Sequence, residues 1–305
     1  MRINLITTMD NGAGLQRDFE VIRSLCDKNK IGVTGIPVKH NPGRCVADVS
    51  IFLELLNDQL LNLSPKNWLI PNSEWWTPGW DEFLPRIDKI LCKTHDCYRI
   101  WSQKVGAERC VYTGFEALDY YDPRFIPEKN FLHLAGVSIT KNTQIVLEAW
   151  NKYRPPVDLI LVTTKQNWLM EANLHHRITP VKRIADSHIH HYLNSSLFHL
   201  MPSQYEGYGQ ALHEAMACGR IVLTTDAPPM NEFGTPKDLL IPSVRTETKD
   251  QAEIHFVSPE GIIEAVEKAR ALTPKQIVDY SKEARENFLK ERDFFRNKFL
   301  ELLYE

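Results

Sequence analysis

Short apolar runs alternate with longer amphipathic stretches along most of this chain. The run Ile3–Thr7 predicts a first strand, and apolar residues at helical spacing predict a helix that begins at Leu15. Further strands are predicted at Val33–Val38, Trp68–Pro71, Lys89–Cys92 and Arg109–Tyr112. This alternation is typical of βαβ units, in which parallel strands form a sheet covered by helices.

The pattern is interrupted once and then resumes. Asp122–Pro127 contains two prolines and shows no periodicity, which indicates a linker. Beyond it, strands are predicted at Asn130–Ala135, Val157–Thr163, Pro180–Ile184, Leu197–Met201 and Ile221–Thr224, and helices at Asn142–Trp150, Pro259–Ala271 and Pro274–Tyr304. We therefore predict an α/β domain in residues 1–127, a second in residues 128–275, and a terminal helix in residues 276–305.

Composition and charge narrow the class of protein. The chain has 305 residues, 43% hydrophobic and 25% charged, which is typical of a globular protein of about two domains. Its net charge of −3 argues against a broad nucleic-acid-binding surface. No apolar run reaches the length of a membrane span, and the 6 cysteines form no Cys-x-x-Cys pair. We expect a soluble cytoplasmic protein without a transmembrane segment.

The most informative segment is Pro202–Gly219, which reads PSQYEGYGQALHEAMACG. The segment follows a predicted strand, and its pattern predicts a loop and then a helix. The N-terminus of a helix carries a partial positive charge, which suits a phosphate. Gly207 and Gly209 let backbone N–H groups approach a ligand closely. Glu206 and Glu214 are eight positions apart, about 12 Å along a helix. That separation suits carboxylates that bind hydroxyls at the two ends of a diphosphate-linked molecule, such as a nucleotide-sugar.

This segment resembles the donor-site signature of the retaining GT-B glycosyltransferases, especially the family-4 group known as glycosyl transferases group 1. That signature is roughly P-S-x-x-E-G-F/Y-G-x-x-x-x-E-A-M-A-C-G, and nearly every element is present. The resemblance implies a GT-B α/β fold, with two Rossmann-like domains facing a central cleft and a long C-terminal helix that packs back on the N-terminal domain. Residues 1–127 would then form the acceptor side and residues 128–275 the nucleotide-sugar-binding side.

The resemblance also implies roles for single residues. Glu206 would hold hydroxyls of the donor sugar, Glu214 would hold the ribose hydroxyls, and Lys141 would offset charge on the leaving diphosphate. We predict Glu206 and Lys141 as the catalytic residues. The predicted donor-binding residues are Gly12, Gly14, Lys141, Glu206, Gly207, Tyr208, Gly209 and Glu214. No cofactor is implied, because the nucleoside-diphosphate sugar is itself the donor substrate.

The chain departs from the family pattern around Lys141. The family has a Gly-Arg pair after the first strand of its C-terminal domain and a Lys-Gly pair a few residues later. Here Lys141 matches the lysine, but Val137 stands in place of the arginine and Asn142 in place of the glycine. One expected phosphate-binding cation is therefore missing, and Lys165 and Arg183 are the candidates to replace it.

A glycine-rich turn follows the first predicted strand. Gly12 and Gly14 fall where the family has its glycine-rich loop, which favours a contact with the diphosphate over a plain tight turn. Arg17 stands where the third glycine of a dinucleotide-binding fingerprint would fall, so that fingerprint is absent.

Acceptor-binding candidates lie in the first domain. Trp75 and Trp76 follow a predicted strand, and aromatic faces stack on sugars and bases. The alternative is a loop anchored by buried tryptophans. Glu74 is a candidate to orient an acceptor hydroxyl. His95 lies near another strand end, where the alternative is an ordinary surface histidine.

The histidines at 188, 190 and 191 form the densest cluster of possible metal ligands. His190 and His191 would point to different sides of a helix, which argues against a shared metal ion. The chain also has no Asp-x-Asp motif of the metal-dependent GT-A type. We therefore predict no metal site.

The function that we predict is transfer of a sugar from a nucleoside-diphosphate sugar to an acceptor hydroxyl, with retention of anomeric configuration. The acceptor would be a glycan, a lipid or a protein; a nucleic-acid base, as in viral DNA-glycosylating enzymes, is less favoured by the near-neutral charge. A nucleotide-sugar epimerase and a non-catalytic nucleotide-sugar-binding protein are the alternatives from other classes.

Overall fold

The computed structural model describes residues 1–8, 14–40, 42–43, 46–136, 138–165, 174–182 and 184–305. These residues form two compact units. The N-terminal unit contains Met1–Ala117 together with Thr248–Ala252 and Glu291–Glu305. The C-terminal unit contains Leu118–Glu247 and Glu253–Lys290.

The N-terminal unit is built on a parallel sheet whose six described strands have the order β2-β1-β3-β4-β5-β6. The strands are β1 Arg2–Thr7, β2 Gly32–Pro37, β3 Val49–Leu53, β4 Lys66–Ile70, β5 Lys89–Cys92 and β6 Cys110–Tyr112, and the helices are α1 Gly14–Lys28 and α2 His95–Val105. The strands predicted from periodicity are present, and β3 is an addition that periodicity did not reveal. Every residue of β3 is buried, as expected for the middle of a sheet covered on both faces.

The C-terminal unit contains a sheet whose seven described strands have the order β13-β12-β11-β10-β7-β8-β9. The strands are β7 Glu128–Gly136, β8 Leu159–Thr163, β9 Ile178–Val181, β10 Ser196–Met201, β11 Ile221–Asp226, β12 Ile241–Lys249 and β13 Ala252–Val257, and the helices are α3 Thr143–Tyr153, α4 Asp186–Ser195, α5 Gln210–Ala217, α6 Pro259–Arg270 and α7 Pro274–Tyr304. The pairings among β7 to β11, and of β11 with β12, are parallel. Both units are thus Rossmann-like α/β units, which confirms the predicted fold class.

Each sheet is covered by apolar side chains of its own helices. In the C-terminal unit, Phe131 of β7 stacks on Phe198 of β10, and Trp150 of α3 packs edge-on against Phe131. In the N-terminal unit, Trp101 of α2 packs edge-on against Trp76. The apolar core of each unit therefore lies between its sheet and its helices, whereas polar residues follow the ends of several strands.

The last helix, α7, contributes residues to both units. In the N-terminal unit, Phe295 packs on Phe115 with ring centroids 4.8 Å apart. Arg296 forms an ion pair with Glu116. In the described part of the chain, no helix combines the length and the apolar surface that crossing a membrane requires.

Candidate functional site

The candidate site lies at the carboxyl edge of the C-terminal unit's sheet, where parallel α/β sheets place their ligands. Two neighbouring strands, β7 and β10, end there and lead into the segments that carry Lys141 and Glu206. Lys141 Nζ donates a hydrogen bond to Glu206 Oε1, and the two side chains are 16% and 13% exposed. Ser203 Oγ donates to the same carboxylate oxygen at 2.5 Å. The structure thus brings the two predicted catalytic side chains into direct contact.

The turn that carries Lys141 is tied to the loop that carries Glu206. Asn142 Nδ2 donates to Pro202 O at 2.8 Å, and Gln204 Nε2 donates to Asn142 Oδ1 at 3.1 Å. The backbone of Asn142 has a φ of 51°, in the left-handed region. Glycine adopts this conformation most easily, and asparagine is among the residues that tolerate it best. Asn142 therefore adopts a conformation that glycine favours and adds two hydrogen bonds between the segments.

The glycine-flanked part of the signature forms the entry to α5. Gly209 precedes the helix with a left-handed φ of 78°. Tyr208 is buried and stacks on His213 with ring centroids 3.9 Å apart, and Phe233 meets His213 edge-on at 4.7 Å. Tyr208 thus anchors the loop to α5, and Gly207 lies between this anchor and Glu206.

The left-handed conformation of Gly209 makes a testable contribution to stability. Gly209→Ala is expected to lower the free energy of unfolding by about 1–2 kcal/mol, because an L residue resists this conformation. The added Cβ would lie 3.4 Å from Phe233, so the backbone supplies most of the cost. Gly261→Ala in α6 is the matched control, since that glycine has ordinary φ and its Cβ would meet nothing closer than 3.6 Å. Urea denaturation followed by circular dichroism measures both variants; equal losses would contradict the backbone explanation.

Glu214 lies on α5 with its side chain fully buried. A carboxylate in such a position requires polar partners, since an isolated buried charge is very costly. Its predicted contact with ribose hydroxyls stays a prediction.

His133 is a residue of the site that the sequence did not reveal. Its Nδ1 donates to Leu200 O at 2.7 Å, and Thr143 Oγ1 donates to its Nε2 at 3.0 Å. Burial lowers the pKa of His133 to about 4, so the ring is neutral near pH 7 and holds this tautomer. The neutral ring joins β7 to β10 and to the start of α3, next to the segments that carry Lys141 and Glu206. The only sequence signal was a histidine inside an otherwise apolar strand.

Of the two cations predicted to replace the expected phosphate-binding arginine, Lys165 lies within the described residues. Lys165 follows the end of β8, which pairs with β7, so it lies at the same edge of the sheet as Lys141. Val137 and Arg183 lie outside the described residues, as does Gly12. Gly14, the other predicted glycine of the first loop, is the first residue of α1.

The acceptor candidates of the N-terminal unit occupy different environments. Trp76 is 1% exposed, and its Nε1 donates to Asp81 Oδ1 at 2.7 Å, so it is a core residue. Trp75 is 47% exposed, with Lys249 Nζ 3.5 Å from its ring centroid. Glu74 lies in the same short 3-10 turn as Trp75, and its side chain is buried.

His95, the remaining acceptor candidate, begins α2 and is exposed. Its ring stacks on Tyr112 at 3.9 Å. Within the described residues, no three histidine, cysteine or acidic side chains are grouped closely enough to hold a metal ion.

The sequence of the C-terminal unit matches a family of known proteins. Residues 128–257 match the family model described as Glycosyl transferases group 1. The matched segment contains Lys141, Glu206 and Glu214. No curated protein sequence matches the chain.

Solved structures extend the likeness to the whole chain. Anabaena Alr3699/HepE in complex with UDP and glucose is 13% identical, with a TM-score of 0.73 over 100% of this chain and 99% of that one. Sucrose-phosphate synthase from Thermosynechococcus elongatus is 14% identical, with a TM-score of 0.73 over 99% and 98%. A glycosyltransferase from Rickettsia africae is 12% identical, with a TM-score of 0.72 over 99% and 97%. At these identities the comparison establishes the fold, which is that of the GT-B glycosyltransferases.

Proposed function

We propose that this protein is a retaining glycosyltransferase that uses a nucleoside-diphosphate sugar as donor. The observation that carries the proposal is the contact of Lys141 with Glu206 at the carboxyl edge of the C-terminal unit's sheet. The two residues come from segments 65 positions apart, and both lie within the part of the chain that matches the group 1 glycosyl transferases.

The reaction requires one bond to form and one to break at the anomeric carbon. The acceptor oxygen bonds to that carbon, while the bond from the carbon to the diphosphate oxygen breaks. The nucleoside diphosphate leaves with the electron pair, and the hydroxyl proton of the acceptor passes to the diphosphate or to solvent. Negative charge thus accumulates on the diphosphate, and a group that stabilises it lowers the barrier.

The Lys141 ammonium is placed to stabilise this charge. It has three N–H donors, so it can bind a phosphate oxygen and retain Glu206. Backbone N–H groups near Gly207 and Gly209 add fixed dipoles. The chemistry then depends on positioning and electrostatic stabilisation, and the proposal requires no metal ion.

Glu206 has one oxygen committed to the protein and one available to a sugar. Lys141 and Ser203 both donate to Oε1, whereas Oε2 accepts no hydrogen bond from the residues that the structure describes. A carboxylate held in this way accepts hydrogen bonds from the donor sugar's hydroxyls at Oε2. Glu214, on the helix α5 that follows the loop of Glu206, would hold the ribose of the same donor.

A donor screen tests the proposed function. We expect UDP-, GDP- or ADP-sugars to be consumed with release of the nucleoside diphosphate, and UDP-glucose is the first probe because Alr3699/HepE binds it. Nuclear magnetic resonance of the product would show the anomeric configuration of the donor, and EDTA would leave the rate unchanged. An epimerase would convert the nucleotide-sugar without releasing nucleotide, and a binding protein would bind it without turnover; either result would overturn the proposal.

Glu206→Ala separates catalysis from binding. We expect this variant to bind donor but to lose turnover by more than about 100-fold, since it removes the group that orients the donor sugar. Glu260→Ala is the matched control, because Glu260 also pairs with a lysine, Lys152, but on an exposed surface of the same unit. Full activity in Glu206→Ala would contradict the assignment of this residue.

A further inference from the structure

A chain of polar contacts crosses the carboxyl edge of the N-terminal unit's sheet. Glu54 follows β3, Asn72 lies beyond the end of β4, and Lys93 follows β5, and these three strands are neighbours in the sheet. The three residues lie at the edge where parallel α/β sheets place ligands.

The contacts form a relay from a buried ion pair to one carboxylate. Lys93 Nζ donates to Asp18 Oδ2, and both side chains are buried. The same Nζ donates to Asn72 Oδ1 at 3.4 Å, and Asn72 Nδ2 donates to Glu54 Oε2 at 2.6 Å. Asp18 forms the ion pair with Lys93, and Asn72 links Lys93 to the Glu54 carboxylate. These contacts fix the position of Glu54 Oε2.

Glu54 itself has features that stability does not explain. Its backbone has a φ of 67°, a left-handed conformation that is costly for glutamate and that persists mainly where function requires it. Burial raises the pKa of its carboxyl group, against the opposing effects of Asn72 and Lys93. Its Oε1 accepts no hydrogen bond from the residues that the structure describes, whereas Oε2 is held by Asn72.

A second polar group, without a hydrogen-bond partner among the described residues, lies at the end of the strand next to β3. Thr7 ends β1, the strand that pairs with β3 on the side away from β4. Its side chain is fully buried, and its Oγ1 has no hydrogen-bond partner among the described residues. A buried hydroxyl without a partner is costly, and a ligand hydroxyl would relieve that cost.

We propose that Glu54 binds a sugar hydroxyl of the acceptor, with Thr7 as a second hydroxyl contact, so that the acceptor is a carbohydrate. The inference rests on the proposed glycosyl transfer and specifies the chemical class of its acceptor. A fixed carboxylate oxygen and a nearby hydroxyl suit a ligand that offers several O–H groups as hydrogen-bond donors. A sugar is such a ligand. A phosphorylated acceptor would meet the negative charge of the Glu54 carboxylate, so the site selects against one.

The test compares Glu54→Gln with the wild-type protein. The substitution keeps the shape of the side chain and its acceptor for Asn72 but removes the charge. Binding of glucose, galactose, mannose and N-acetylglucosamine is measured by saturation-transfer nuclear magnetic resonance, and transfer to each sugar by release of nucleoside diphosphate. We expect at least one sugar to bind the wild-type protein and Glu54→Gln to weaken it about 10- to 100-fold, with donor affinity unchanged.

Two further variants keep the test decisive. Glu82→Gln changes an exposed glutamate of the same unit and is expected to leave sugar binding unchanged. Thr7→Val replaces the hydroxyl by a methyl group of similar size, which a purely structural residue would tolerate. We expect Thr7→Val to fold normally and to bind the sugar several-fold more weakly.

The outcomes separate this inference from the proposed function. If the wild-type protein consumes a nucleotide-sugar but Glu54→Gln and Thr7→Val bind sugars as the wild type does, the acceptor site is wrong and the transferase proposal stands. If none of the four sugars binds the wild-type protein, the carbohydrate assignment is overturned. If no nucleotide-sugar is bound or consumed, the proposed function itself fails.

Discussion

Lys141→Met is expected to lower kcat/KM for sugar transfer by about 100- to 1000-fold, which is the usual effect of removing one group that stabilises transition-state charge. The methionine fills a similar volume but cannot donate a hydrogen bond to a phosphate oxygen. It also removes the ammonium that holds Glu206 Oε1. In the proposed reaction Lys141 acts on charge that develops as the diphosphate leaves, so kcat is expected to fall more than donor affinity.

The measurement combines steady-state release of nucleoside diphosphate with titration calorimetry of donor binding. Lys152→Met is the matched control, because Lys152 pairs with Glu260 at an exposed position of the same unit. Lys141→Arg keeps the charge with a different shape and is expected to retain part of the activity. If Lys141→Met kept turnover within about threefold of the wild type, another cation would have to serve the diphosphate, and Lys165 is the described candidate.

Phe295→Ala is expected to lower the free energy of unfolding of the N-terminal unit by about 3–5 kcal/mol. Phe295 is fully buried on α7 and packs against Phe115 and Phe299, with ring centroids 4.8 and 5.5 Å away. Truncation removes apolar contacts and leaves a cavity that the surrounding rings fill only in part.

The neighbouring residue supplies the control for this prediction. Phe294 is 44% exposed and stacks on Tyr112 at 5.5 Å, so Phe294→Ala is expected to cost about 1 kcal/mol or less. Urea denaturation followed by tryptophan fluorescence reports mainly on this unit, which contains Trp68, Trp75, Trp76, Trp80 and Trp101. Equal losses in the two variants would contradict the explanation from burial.

The strands and helices were predictable where the hydrophobic periodicity and the turn residues indicate the same boundaries. β10 and α5 were both expected from the signature segment, because an apolar run, a glycine-flanked loop and a helical period follow one another without ambiguity. β3 was missed, since its apolar residues run on into Leu55 and Leu56 and show neither helical nor alternating period. β12 was missed as well, because most of its residues beyond Ile241 are polar or exposed.

The candidate site divides in the same way. The motif identified Glu206 and Lys141 one at a time, but nothing local indicated that a hydrogen bond joins them. His133 and Glu54 were missed because each is a single residue without a motif. His133 is held by Leu200 and Thr143, and Glu54 is held by Asn72. These partners belong to no motif, and the hydrogen bonds to them are visible only in the folded chain.

The tryptophan pair shows the limit of composition most plainly. Trp75 and Trp76 are adjacent, and the sequence left an exposed platform and a buried anchor equally open. The structure makes Trp76 a core residue against Trp101 and leaves Trp75 half exposed beside Lys249. Adjacent residues in a turn point in different directions, and the tertiary packing around them selects which one is covered.

The sequence by itself determined the two α/β units, the strand, loop and helix of the signature, and the residue types of the candidate donor site. These features depend on interactions between residues close together in the chain, which periodicity and turn residues encode. The tertiary structure alone decided that β7 lies beside β10, that Lys141 meets Glu206, and that Asp18, Lys93, Asn72 and Glu54 form one chain of contacts. Strand order and side-chain direction arise from packing between distant segments, and no local pattern carries that information.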